Sequence, residues 1–138
     1  MKPAKPTRGQ LERQLSQSIQ AFYREQLGHQ PSKVTCQLFD TKIAIILEDS
    51  VTPTEQILNK EGQQELAQQV RSSLDEATRP PLKKLIEEVI GTKIVDLLCD
   101  ATVDTGRTGI IAILAETPDT RLPEKLSKVK TQKASETQ

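Results

Sequence analysis

Two arginines are the residues in this chain best suited to hold a ligand. Arg71 and Arg79 stand eight residues apart on a helical stretch, about two turns, and a guanidinium can grip an oxyanion with two parallel hydrogen bonds. The pair is therefore a candidate site for a small anion or a nucleotide. Ion pairing with Asp75, Glu76 or another acid is the competing use of the same groups. Asp104-Thr105-Gly106 matches the tripeptide of aspartic proteases, in which two such carboxylates share a proton across a dimer. The same three residues also suit a hairpin turn for backbone reasons alone. A retroviral-type protease continues with a long run of strands, whereas only 32 residues follow Gly106 here. The turn is the expected role.

Asp96, Asp100 and Asp104 recur every four residues and would share one face of a strand, facing a cation, a basic partner or simply water. His29 is the sole histidine and lies beside a helix end, with no Cys or His nearby to complete a zinc set. Cys36 and Cys99 are isolated in apolar strand patterns, where a free thiol behaves as a small hydrophobe. They are expected to be reduced, in a cytoplasmic setting. No GxSxG, HExxH, P-loop or GxGxxG pattern occurs. No catalytic residue, metal or cofactor is assigned, and the expectation is a protein that is not an enzyme.

The elements that must position these groups can be read from periodicity. Leu11, Leu15, Ile19, Phe22 and Gln26 or Leu27 form one stripe of a helix starting at Gly9, closed by Gly28. Lys33–Phe39 and Ile43–Leu47 alternate as a hairpin. If Asp40-Thr41 make the turn, Leu38 pairs with Ile43, Cys36 with Ile45 and Val34 with Leu47 on one face. Thr52-Pro53-Thr54-Glu55 combines a cap, a first-turn proline and a Glu at N3. It opens a short helix with Ile57 and Leu58 facing in. A longer segment carries Leu66, Val70, Leu74 and Ala77 on a stripe, with a kink or break near Thr78–Pro80. Leu82, Leu85, Ile86 and Val89 continue to Gly91. A second hairpin spans Thr92–Val103 and Arg107–Glu116, with Val95, Leu97, Cys99, Ala101 and Val103 sharing a face.

The order α-β-β-α-α-β-β predicts an α+β fold, a four-stranded antiparallel sheet with helices on one face. Residues 9–116 form the single domain, between a disordered arm (1–8) and a disordered basic tail (117–138). Ile43-Ala44-Ile45-Ile46-Leu47 and Ile110-Ile111-Ala112-Ile113-Leu114 are apolar on both faces, as covered strands are. A second copy of the chain is the expected cover, with Ile46 and Ile111 at the interface.

The 138 residues carry no formal net charge, 35% hydrophobic residues and 2% aromatics, so Leu, Ile and Val must build the core. Residues 1–8 and 117–138 together hold eight bases and three acids, which leaves 11 bases and 16 acids for 9–116. An acidic body argues against nucleic-acid binding, which relies on clustered Lys and Arg. No run approaches the ~20 apolar residues of a membrane span, and no secretory signal is present.

Taken in order, Gly28-x-x-Pro31, Val51-Thr52-Pro53-x-Glu55-x-x-Leu58, Gly62, Val70-Arg71, Ala77-x-Arg79-Pro80 and Glu87-Glu88-x-x-Gly91-x-Lys93-x-Val95 resemble the MpsC-like family over residues 9–116. Val51 in place of Leu, and Pro81 after Pro80, depart from that pattern. The resemblance implies an accessory or regulatory role beside a cation-dependent membrane system tied to membrane potential and inorganic-carbon uptake. It carries no reaction and no catalytic residues. The expectation is a non-catalytic, cytoplasmic homo-oligomer, most simply a dimer, that binds a transporter or another protein without inserting into the membrane. A small-anion or nucleotide sensor built on Arg71 and Arg79 is the alternative.

Overall fold

The computed structural model describes residues 5–121. Helix α1 (Arg8–Leu27) leads into strands β1 (Lys33–Phe39) and β2 (Lys42–Glu48). Helices α2 (Pro53–Lys60) and α3 (Gln64–Ile90) follow, then strands β3 (Ile94–Thr102) and β4 (Arg107–Leu114). The strands form one antiparallel sheet in the order β1-β2-β4-β3. This is the expected α+β fold.

The first hairpin has the register that alternation dictates. Val34 faces Leu47, Cys36 faces Ile45 and Leu38 faces Ile43. Asp40 in the turn takes a φ of 52°, a left-handed conformation that Asp tolerates better than most side chains. Cys36, Leu38, Ile43, Ile45 and Leu47 are buried because α1 and the second half of α3 cover this face. Leu11, Leu15, Ile19 and Tyr23 of α1 and Leu82, Ile86 and Ile90 of α3 complete a single core with the inward residues of β4. Tyr23 occupies the inward position expected of Phe22, one residue later, because the stripe keeps a strict spacing of four.

Helix α1 begins at Arg8 on a capping box in which the Thr7 hydroxyl accepts from the Gln10 amide and the Gln10 side chain accepts from the Thr7 amide. Residues 5–7 lie alongside the end of the described chain. The Arg121 amide donates to the Pro6 carbonyl at 3.0 Å, and Lys5 pairs with Asp119 at 3.2 Å. The rest of the arm and tail expected to be disordered, residues 1–4 and 122–138, lies outside the described residues.

Three expectations are corrected. Val95 points outward and is 68% exposed, while Ile94 is buried. A bulge between Ile94 and Asp96 inserts one residue and reverses the alternation, whereas Leu97, Cys99 and Ala101 keep the expected inward face. Ile57 of α2 is exposed, and Glu55 is buried in its place.

Finally, α3 runs through Pro80 and Pro81 as one helix of 27 residues, with no break. The prolines remove the donors for the carbonyls of Glu76 and Ala77, but all four residues are exposed, so water can serve those carbonyls. Thr78 and Leu82 are buried on the opposite side and hold the two halves in line. In the N-terminal half the inward positions are Ala67, Arg71 and Thr78. The stripe of Leu66, Val70, Leu74 and Ala77 lies beside them, with Leu66 and Ala77 exposed.

Pro81→Ala restores a helical donor at an exposed site. It should raise stability by about 1–2 kcal/mol, measured by urea unfolding. Unchanged or lower stability would mean that α3 needs the proline geometry.

Candidate functional site

The polar inward position on α3 has a chemical cause. Arg71 and Glu55 are 1% and 0% exposed, and their guanidinium and carboxylate meet fork to fork. Arg71 Nε donates to Glu55 Oε1 and Nη2 to Oε2, each at 2.7 Å. Nη2 also donates to the Ser50 carbonyl and Nη1 to Asp75 Oδ1, each at 3.1 Å. On the other side of the pair, Glu55 Oε2 accepts from the Thr52 amide and hydroxyl at 2.9 and 2.7 Å. Burial opposes the charge on Arg71, but Glu55 and then Asp75 outweigh it, and the guanidinium is held above its usual range. Burial pushes the Asp75 carboxyl upward, with Arg71 opposing the shift.

The capping box of α2 is therefore also the anchor of a buried ion pair. Its Glu at N3 does not simply close a helix end, and the guanidinium of Arg71 is committed to Glu55, Asp75 and the Ser50 backbone. Pairing with acids, the competing use of Arg71, is what the structure displays. Arg79 is exposed and lies near enough to Asp75 and Cys99 to influence both, so Asp75 sits between the two arginines.

The remaining polar candidates make local contacts. Strand β3 stops at Thr102, so Asp104 leaves the row of Asp96 and Asp100 and enters the turn, where its Oδ1 accepts from Asn59 Nδ2 at 2.7 Å. Gly106 has a φ of 73° and donates its amide to the Thr102 carbonyl, closing a five-residue turn. Its own carbonyl accepts from the Ser50 amide and hydroxyl at 2.8 and 3.1 Å. Asp104-Thr105-Gly106 thus joins the two hairpins as a turn. His29 donates from Nε2 to the Asp49 carbonyl at 2.8 Å. Among the described residues no three His, Cys, Asp or Glu side chains group as a metal site. Cys36 is buried and Cys99 half-buried, both as free thiols, and burial pushes Cys36 up to about 11.

The largest unspent feature is the outer face of the sheet. Its helix-covered side is closed, whereas nothing among the described residues covers the other. Ile46 is 43% exposed and Leu98 52%, with Ala44, Ile111 and Ile113 half-buried between them. The register sets these side by side: Ala44 faces Ile111, which faces Leu98, and Ile46 faces Gly109. Asp96 and Asp100 flank the patch on β3, and Lys33 and Lys42 lie on the β1–β2 side, all exposed. A contiguous apolar patch rimmed by charge is the signature of an interaction surface.

Removing either ionic partner strands a buried charge, so Arg71→Ala and Glu55→Gln should each cost about 3–5 kcal/mol. The double variant Arg71→Met with Glu55→Leu should recover most of that loss in denaturant unfolding. Additive losses would show that the two groups act separately. A thiol reagent under native conditions should modify Cys99 well before Cys36. Because the folded Cys36 thiol lies above its usual value, its contribution to stability is full below pH 9 and is lost as pH rises through about 11.

Comparison with known proteins gives a family and adds little chemistry. An uncharacterized protein of Bacillus subtilis (strain 168), YbcI, is 29% identical over 104 residues, covering 74% of this chain and 83% of the relative. No solved structure matches. No helix among the described residues is long and apolar enough to cross a membrane. The family model described as "Na+-translocating membrane potential-generating system (MpsC)" matches residues 7–116, and the chain belongs to the MpsC family.

Proposed function

We propose that this protein is a non-catalytic accessory module. It associates with a second copy of itself through the outer sheet face and binds a protein of the membrane system named in its family description. The observation that carries this reading is the uncovered patch centred on Ile46, Ile111 and Leu98. Apolar side chains on both faces of β2 and β4 are the pattern of strands covered on both sides. Three of the polar groups singled out by their types are engaged in structural contacts, Arg71 with Glu55, Asp104 with Asn59 and His29 with Asp49, whereas Arg79, Asp96 and Asp100 are exposed. That supports binding over chemistry as the working role.

On this reading the module works in the cytoplasm, and its partner there belongs to a transporter, with bicarbonate uptake as the proposed process. The sensor alternative is weakened because the Arg71 guanidinium is already paired inside the fold, which leaves Arg79 alone on the surface.

Light scattering after size exclusion, across a dilution series of the full chain, should give a mass of two chains at high concentration. Ile46→Lys and Ile111→Lys, each at the centre of the patch, should shift the protein to a folded monomer with unchanged far-UV circular dichroism. A wild-type monomer at every concentration would overturn self-association. It would also direct the search for a partner to the same face.

A further inference from the structure

We infer that the two copies pack their outer sheet faces together about a twofold axis that runs parallel to the strands, between β2 and β4. This rests on the self-association proposed above and specifies its geometry. The sheet order β1-β2-β4-β3 means that such an axis lays β2 of one copy over β4 of its partner, and β1 over β3. Residues on one cross-strand row then meet the same row of the other copy.

Size and charge both match in this arrangement. Ala44 and Ile111 share a row, so each small Ala44 receives the partner's Ile111. Ile46 and Gly109 share the next, so each Ile46 lies over a residue with no side chain. Gly109 sits inside a central strand at a φ outside the left-handed region, and an added Cβ would find its nearest neighbour, Ile46 Cδ1, at 3.8 Å. The protomer itself therefore gives no steric reason for glycine there. A strand glycine often marks a bulge, a bend or the close approach of another backbone, and the ladder is regular on both sides of Gly109. Lys42 and Asp96 lie on either side of Ile113 in a third row. The twofold sets Lys42 over the partner's Ile113, offset sideways by one strand spacing of about 4.8 Å from the partner's Asp96, across sheets about 10 Å apart that the long lysine side chain can bridge.

The competing axis, perpendicular to the strands through the Ala44 row, would set Leu98 on Leu98, where the parallel axis sets it over Gln37. That axis is nevertheless worse at the centre of the patch and in charge. It stacks Ile111 on Ile111, leaves Ala44 against Ala44, and brings Asp96 over the partner's Asp100. Aligned sheet packing rotates the layers by about 30°, which leaves the central rows in contact. Four strands of about seven residues make a plate of roughly 19 by 23 Å. Pairing removes on the order of 900 Å² from the two copies together, at the low end for specific complexes. A dimer that dissociates on dilution is expected.

The test is a charge-reversal cycle at exposed positions, read as the dimer dissociation constant by sedimentation equilibrium of the full chain. Lys42→Asp and Asp96→Lys should each weaken the dimer by about tenfold, because twofold symmetry places two like-charge contacts in each variant. The double variant, with the pair reversed, should return to the wild-type value. Asp96→Lys tightening the dimer would indicate the perpendicular axis and overturn the inference. So would neutral single variants, or a double variant as weak as the product of the singles. Each of these leaves self-association standing, whereas a wild-type monomer removes the proposed function along with its geometry.

Discussion

Arg71 is the hub on which the irregular half of this molecule depends. A guanidinium and a carboxylate removed from water lose several kcal/mol of hydration apiece, and only mutual contact with full hydrogen bonding offsets that loss. Glu55 meets Arg71 along both of its oxygens, and Thr52 fills the remaining acceptor capacity. The Ser50 carbonyl is drawn into the same group, while the Ser50 amide and hydroxyl reach across to Gly106. One ionic contact thereby ties the corner after β2, the start of α2, the first half of α3 and the β3–β4 turn. Without it α2 keeps the half-buried Leu58 and the Asn59–Asp104 hydrogen bond, since its one fully buried residue is Glu55.

That arrangement also explains an apparent contradiction between pattern and burial. The apolar residues of the first half of α3 are displaced around the helix because the inward position is taken by an arginine. Farther along, where the helix meets the sheet, Leu82, Ile86 and Ile90 regain the ordinary apolar stripe. The helix therefore changes function along its length, from an electrostatic clamp to a hydrophobic cover, with the exposed prolines near the transition. A long charged side chain at an inward site is tolerated because its guanidinium is met by Glu55, Asp75 and the Ser50 carbonyl.

The opposite side of the sheet imposes a different constraint. Helices close one face of β2 and β4, yet these strands carry branched apolar side chains on both. For a fold of this size that surface is the main unpartnered resource, and it is continuous because the β2–β4 pairing places Ala44, Ile46, Gly109 and Ile111 together. Neither hairpin alone could form it. The two hairpins meet along their second strands, and the patch exists only where they join.

Local chemistry made much of this fold legible. The Leu38–Ile43 register followed from alternation with a period of two, and the start of α2 followed from a capping motif whose geometry is contained in four residues. Gly28, Gly91 and Gly106 each adopt the left-handed conformation that their positions imply. The Thr7-x-x-Gln10 box was equally readable, as a Thr followed three residues later by Gln, but it lies within a stretch of prolines and bases that resembles an arm. By contrast, the bulge that turns Val95 outward carries no signature, because a single inserted residue leaves the composition of the strand unchanged. The sequence by itself determined element types, the first hairpin's register and the excess of apolar surface, since each depends on neighbours a few residues apart. The tertiary structure alone decided that Arg71 meets Glu55 across 16 residues, that α3 survives two prolines, and that β2 lies against β4. Those outcomes rest on desolvation and packing between segments distant in the chain, and no local spacing records them.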